Sequence, residues 1–408
     1  MIQSCSGHFT LPFRADRSIL GVPVILLFLL LALVGCGAER PALNQEELQR
    51  IDRKRSAQLR ATRQQVIQTT LDRLECEYAD WQPGQPAPRF DILVLSGGAA
   101  WGAYGAAYLN AWRDEVPADD PKARPDNFDI VTGVSTGSLI GTYVYLDEQA
   151  ADERIESIYR EADPEWAKMG FWWWWPTKES MVDNSGLIDF MHTEVTTDHL
   201  TKMARQRQFH RQFLVSAVDI DVVQLRIWEL GAMARDELAG DEAPGSVVKR
   251  LMASTSIPGG FPPVRIDGTY HADGGIIEQL HPGITLAQWH TIVDRWQATH
   301  PDKPLPQVRY WVILNTWIRP PKQAVDRQWP IVAARSVQVM MAANVHYPLD
   351  RIASACQYLR DAYDMDAQMY WTGIPADYAV PESEHAFDPL VTNFLADTGA
   401  VQGSDPIT

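Results

Sequence analysis

The chain is short of positive charge. Against 52 Asp and Glu it sets only 36 Lys and Arg, a formal net charge of −16 over 408 residues. That balance repels phosphate-rich nucleic acid and gives no simple electrostatic attraction to anionic lipid. Cysteine is scarce as well: Cys5, Cys36, Cys76 and Cys356 are the whole set, and no C-x-x-C or Cys/His spacing forms a metal-ligand pattern. Neither a disulfide scaffold nor a zinc module fits, and no metal or cofactor is expected. Internal repeats and low-complexity tracts are lacking too, which excludes a repeat array. What remains is an ordinary globular composition, 46% apolar and 22% charged, expected to make one main domain with appendages.

One apolar run stands out. Arg14 and Arg17 precede an uncharged stretch from Ile19 to Val34, whose 16 residues fall short of the roughly 20 that span a bilayer, and Pro23 interrupts it. Leu33-Val34-Gly35-Cys36 follows and resembles the lipobox of a bacterial lipoprotein signal peptide. The expectation is a signal peptide over residues 1–35 and lipidation at Cys36. Because Gly37 rather than Asp follows the cysteine, the resemblance implies attachment to the outer membrane with the globular part facing the periplasm. In that oxidising compartment Cys76 and Cys356 are either a pair or two separate thiols.

Residues 36–88 read as a helical stalk and linker. Asn44 and Glu47 make a plausible cap, and Leu48, Ile51, Leu59, Val66, Ile67, Leu71 and Leu74 follow near helical spacing. This predicts one long helix, a stalk or a brace lying on the main domain, ended by Pro83, Pro86 and Pro88. From Arg89 short aliphatic runs alternate with helical stretches, which predicts an α/β fold with a mostly parallel sheet. Expected strands are Asp91–Leu95, Phe128–Thr132, Phe213–Val218, Val222–Trp228 and Arg309–Leu314. Expected helices include Ala103–Trp112, Ser138–Leu146, Ser246–Ser254, Ile331–Ala343 and Leu349–Asp361. Trp172, Trp173, Trp174 and Trp175 stand in a row before Pro176. No helix or strand can point four consecutive side chains one way, so they belong to a buried cluster or to a membrane contact.

Three motifs carry chemistry. Phe128 to Thr132, then Gly133-Val134-Ser135-Thr136-Gly137, then Ser138 to Tyr143 read as strand, G-x-S-x-G turn and helix, an arrangement that projects the Ser135 hydroxyl beside a helix N-terminus. Glycines at 133 and 137 remove Cβ clashes from the turn. One βα unit earlier, Ser96-Gly97-Gly98-Ala99-Ala100-Trp101-Gly102 clusters backbone N–H donors. It lacks G-K-[ST] and does not fit G-x-G-x-x-G, so an oxyanion hole suits it better than a nucleotide. The third motif runs from Ala253-Ser254-Thr255-Ser256-Ile257-Pro258-Gly259-Gly260-Phe261-Pro262-Pro263 to Asp273-Gly274-Gly275.

In this order, from about Asp91 to Ile277, these motifs resemble bacterial patatin-like phospholipases. The resemblance implies a three-layer α/β/α fold, a Ser-Asp dyad without metal, and hydrolysis of ester-linked acyl chains. Ser135 would be the nucleophile, Asp273 the base, and the amides near Gly97, Gly98 and Ala99 the oxyanion hole, with a lipid ester as substrate. Two departures stand out: the third loop residue is Ala99 rather than Gly, and Trp101 stands where many relatives have Arg. Two other readings remain open, a Ser-His-Asp hydrolase drawing on His271, His281 or His346, and a lipoprotein that binds lipid or a partner on the same fold without turnover.

Overall fold

The computed structural model describes residues 42–406 apart from 121, 171–178, 319–321, 323, 376, 377, 379 and 382–386. The lipidation candidate Cys36 and the row Trp172 to Trp175 lie outside the described residues. The described residues from Gln45 onward form one compact unit. Its helices are α1 (Gln45–Glu77), α2 (Gly102–Glu115), α3 (Thr136–Val144), α4 (Gln149–Arg160), α5 (Ser185–Glu194), α6 (Thr197–Gln208), α7 (Leu230–Ala239), α8 (Ser246–Thr255), α9 (Leu286–Thr299), α10 (Trp329–Tyr363) and α11 (Pro389–Gly403). Its strands are β1 (Arg89–Leu95), β2 (Ile130–Val134), β3 (Lys168–Met169), β4 (Val182–Asp183), β5 (Gln212–Asp219), β6 (Gln224–Glu229), β7 (Val264–Ile266), β8 (Thr269–Asp273), β9 (Gln307–Trp317) and β10 (Ala367–Ile374).

The main sheet runs β10-β9-β1-β2-β5-β8-β7, with β6 also paired to β5. From β10 to β5 every pairing is parallel, while β6, β7 and β8 pair antiparallel. Side-chain alternation along β1 divides the interior in two. Leu93 and Leu95 join one core with residues of α2, α3, α4 and α11. Ile92 and Val94 join the other with Val66, Ile67 and Leu74 of α1, Trp289 and Trp296 of α9, and Ile352 and Leu359 of α10. A sheet covered on both faces explains why β1 reads as an unbroken apolar run. It is the three-layer arrangement that the family resemblance implies.

Several elements differ from expectation in their bounds, three of them for a physical reason. The strand expected at Val222 starts at Gln224, because Val223 occupies the turn after β5 at φ +54° and is left 78% exposed. β2 lies two residues later than expected, which carries it up to Ser135. Instead of two helices broken near Pro348, α10 is one helix of 35 residues that contains the proline. Proline removes one helical donor and crowds the preceding turn. Val345 and Leu349, buried on either side of it in the same core, hold both halves to one axis.

Candidate active site

Ser135 sits between β2 and α3 with φ +54° and ψ −126°, a region that costs a side-chain-bearing residue about 1–3 kcal/mol. Neighbouring groups hold it there. Its N–H donates to Ser254 Oγ at 2.9 Å, and the Ser254 hydroxyl donates to Ser216 O at 2.7 Å. Its carbonyl accepts from the Ser138 amide and hydroxyl. Strain therefore falls on the serine itself. The flanking glycines serve close approach instead: a Cβ on Gly137 would stand 2.4 Å from Leu95 O, which joins the turn to the end of β1.

Asp273 ends β8 and is fully buried. One strand positions it against the serine: on β5, Ser216 is opposite Val134 and the next residue, Ala217, is opposite Asp273. The Asp273 N–H donates to Ser256 O at 2.9 Å, and its Oδ1 accepts from the Gly275 N–H at 2.7 Å. Oδ2 has no hydrogen-bond partner. Burial pushes the carboxyl from 3.8 up to about 7, and the nearby Ser135 hydroxyl and the Gly275 amide draw it back down. The hydroxyl is thus close enough to act on the carboxyl charge without completing a well-aligned bond to it. A carboxylate taken out of water without a cation beside it is a stronger base than one at the surface.

The loop Gly97-Gly98-Ala99 lies against the serine. A Cβ on Gly97 would come within 3.1 Å of Ser135 Cβ, and one on Gly98 within 1.9 Å of Asn315 O. Ala99 takes φ +50°, so the departure from glycine leaves the residue in the left-handed region. The amides of residues 97, 98 and 99 find no protein acceptor among the described residues. Asn315 of β9 shapes this loop: its amide donates to Ser96 Oγ, its Nδ2 to Ser96 O, and its Oδ1 accepts from Gly105 N–H. Beside the loop is a cavity of about 280 Å³ whose walls include Trp101, Ile257, Gln279, Trp317 and Met341. Trp101 meets Trp317 edge to face at 4.1 Å, so the second departure puts an aromatic wall beside the amides.

The structure therefore brings together Ser135, Asp273, Gly97, Gly98, Ala99, Gly133 and Gly137. Two of the three candidate histidines face acidic partners of their own. His271 Nε2 is 3.6 Å from Asp219, and burial lowers its pKa to about 4. His281 Nδ1 pairs with Glu278 at 2.7 Å, and His346 is exposed on α10. Cys76, exposed, and Cys356, buried, are both free thiols. Sequence reasoning missed the supporting residues. Ser254 and Ser256 were read only as part of a motif, yet one accepts from the backbone of the candidate nucleophile and the other from that of the candidate base. Asn315 had no motif around it.

The family model described as patatin-like phospholipase matches residues 93–281. Among solved structures the chain is similar to VipD from Legionella pneumophila at 13% identity and a TM-score of 0.31, over 78% of this chain and 67% of that one. No curated protein matches. The matched span begins in β1 and ends after the Asp273-Gly274-Gly275 turn, enclosing the serine, the aspartate and the loop, so it is over residues 93–281 that the chain matches a patatin-like phospholipase, a family of lipid acylhydrolases.

Proposed function

We propose that this protein cleaves acyl esters of phospholipid or lysophospholipid with a Ser135-Asp273 dyad, while tethered through lipidated Cys36 to the outer membrane and facing the periplasm. The observation that carries the dyad is the unpartnered Oδ2 of a fully buried carboxylate, held beside the strained serine by consecutive residues of β5. Asp273 takes the proton as Ser135 Oγ bonds to the ester carbonyl carbon. The amides of Gly97, Gly98 and Ala99 receive the oxyanion. The protonated aspartate then gives its proton to the leaving alcohol oxygen, and the C–O ester bond breaks. Water attacks the acyl-serine next, with Asp273 again as base, releasing fatty acid and restoring the hydroxyl.

A fluorophosphonate probe tests the nucleophile. The wild type should label and release fatty acid from lysophospholipid, and Ser135→Ala should do neither. Labelling that persists in Ser135→Ala would place the nucleophile elsewhere. The anchor is tested by Cys36→Ser, which should abolish lipidation and leave an unprocessed precursor. Normal processing and mass in that variant would remove the lipoprotein reading.

A further inference from the structure

One helix has an outer face that its position does not explain. Between Trp329 and Leu349, α10 contains no Asp, Glu or Lys and a single Arg, Arg335, in a chain with 52 acidic residues. Val337, Gln338, Met341 and Ala342 of this stretch line the cavity beside the candidate oxyanion loop. At about 100° per residue, Val332, Val339, Met340, Ala343 and Tyr347 fall on the opposite face, and all are exposed, Val339 by 50% and Tyr347 by 68%. Only Ser336 and His346 are polar members of that face, with Arg335 at its margin. A helix over a soluble core normally turns a polar face outward. This one is apolar on both.

We infer that the outer face of α10, from Val332 to Tyr347, docks the protein on a lipid bilayer and presents acyl lipid to the cavity. The inference rests on the acylhydrolase reading above and names how the substrate arrives. Three observations select a bilayer. The apolar surface is carried by the same turns that wall the cavity, so lipid leaving a bilayer there arrives beside the candidate oxyanion loop. The stretch is free of acidic residues, so docking brings none of the chain's negative charge to headgroup phosphates. The exposed apolar residues run along one helix from Val332 to Tyr347, the form in which a helix lies in the interface. The same helix is also tied to the site: Asn344 Nδ2 donates to the carbonyls of Gly275 and Ile276, in the turn that follows Asp273.

The test uses the full-length chain, so that every variant compared by rate keeps the same N-terminal segment. Val339→Asp/Met340→Asp should hydrolyse phosphatidylethanolamine/phosphatidylcholine vesicles at least tenfold more slowly than wild type, with hydrolysis of a short-chain soluble ester within twofold. Equal loss on both substrates would make the helix a structural cover and overturn the inference, as would unchanged rates on both. A wild-type dimer that the variant dissociates, with vesicle rates preserved, would assign the face to a second copy. A readout independent of turnover is a polarity-sensitive dye on Met340→Cys in a Cys5→Ser/Cys36→Ser/Cys76→Ser background, in which the one remaining native thiol, Cys356, is buried. It should shift to the blue when phosphatidylcholine vesicles are added, and an unmoved spectrum overturns the docking. If wild type hydrolyses neither substrate, or Ser135→Ala hydrolyses both, the acylhydrolase reading fails while the dye still decides the docking.

Discussion

Two walls face the same cavity and are built on opposite plans. On one side the Gly97 loop lines the cavity and adjoins the site of Ser135 and Asp273, all three at strand ends, and neighbouring strands and motifs hold their backbones through Ser254, Ser256 and Asn315. On the other side the first half of α10 contributes Val337 and Met341, is exposed outward, and is tied to the site by Asn344 and its Gly275 and Ile276 partners. Reacting groups need geometry held to a fraction of an ångström, and hydrogen-bonded strands supply that rigidity. Access for a long flexible acyl chain needs a wall with few directional ties. The strain stored at Ser135 belongs to the first wall alone.

The largest expected difference between the walls comes from Asp273→Asn, which should lower kcat about 10² to 10⁴-fold in a folded protein. Each of His271→Ala, His281→Ala and His346→Ala should keep most activity. A histidine variant that falls a hundredfold while Asp273→Asn stays near wild type would replace the dyad with a triad. With the carboxyl near 7, kcat/KM for a soluble ester should rise with pH through about 7 and level off above it. A profile flat from pH 5 to 8 would count against a buried carboxylate as base.

The same carboxyl has a signed effect on stability. Its folded value, about 7, lies above the ordinary 3.8, so the native state holds the proton more tightly. The stabilisation is full below about pH 4 and is lost as pH rises through 7. Asp273→Asn should therefore raise Tm at pH 8, by an amount equivalent to roughly 4 kcal/mol at most, and give no gain near pH 4. A lower Tm at pH 8 would mean that the carboxylate is stabilised by partners other than those described.

Smaller effects should follow from the supports. Ser254→Ala leaves the Ser135 N–H and the Ser216 carbonyl unpaired, which should cost about 1–3 kcal/mol of stability and about tenfold in kcat with KM unchanged. Ser254→Thr keeps the hydroxyl and should restore kcat. On the opposite wall Asn344→Ala should change soluble-ester kcat by no more than about threefold, since it frees two carbonyls at a partly exposed position. A loss from Asn344→Ala as large as that from Ser254→Ala would abolish the distinction between the walls.

Much of this organisation was legible because it rests on local pattern. The β1 run, the strand-turn-helix around Ser135 and the long α1 each follow from periodicity and turn chemistry over a few residues. α9 carried a readable signal as well, since Thr285 and Gln288 form a capping box that the reading passed over. The turn at Val223 was misread because a β-branched residue at positive φ contradicts its own propensity. The join at Pro348 was misread because burial on both sides overrides a proline break.

By itself the sequence determined the alternation of strands and helices, the elbow and the glycine loop, since each depends on spacing within one βα unit or on a short motif, while the roles of Ser135 and Asp273 are what the resemblance carried by those motifs implies. Only the tertiary structure decided how Ser135 and Asp273, 138 residues apart, come together, because their approach depends on the register by which β5 pairs with β2 and β8. It also decided that burial pushes the Asp273 carboxyl upward, because desolvation is a property of everything packed around the carboxyl and not of its neighbours in sequence. The two faces of α10 were decided in the same way. Periodicity shows that both are apolar, and only packing assigns one to the cavity and leaves the other exposed.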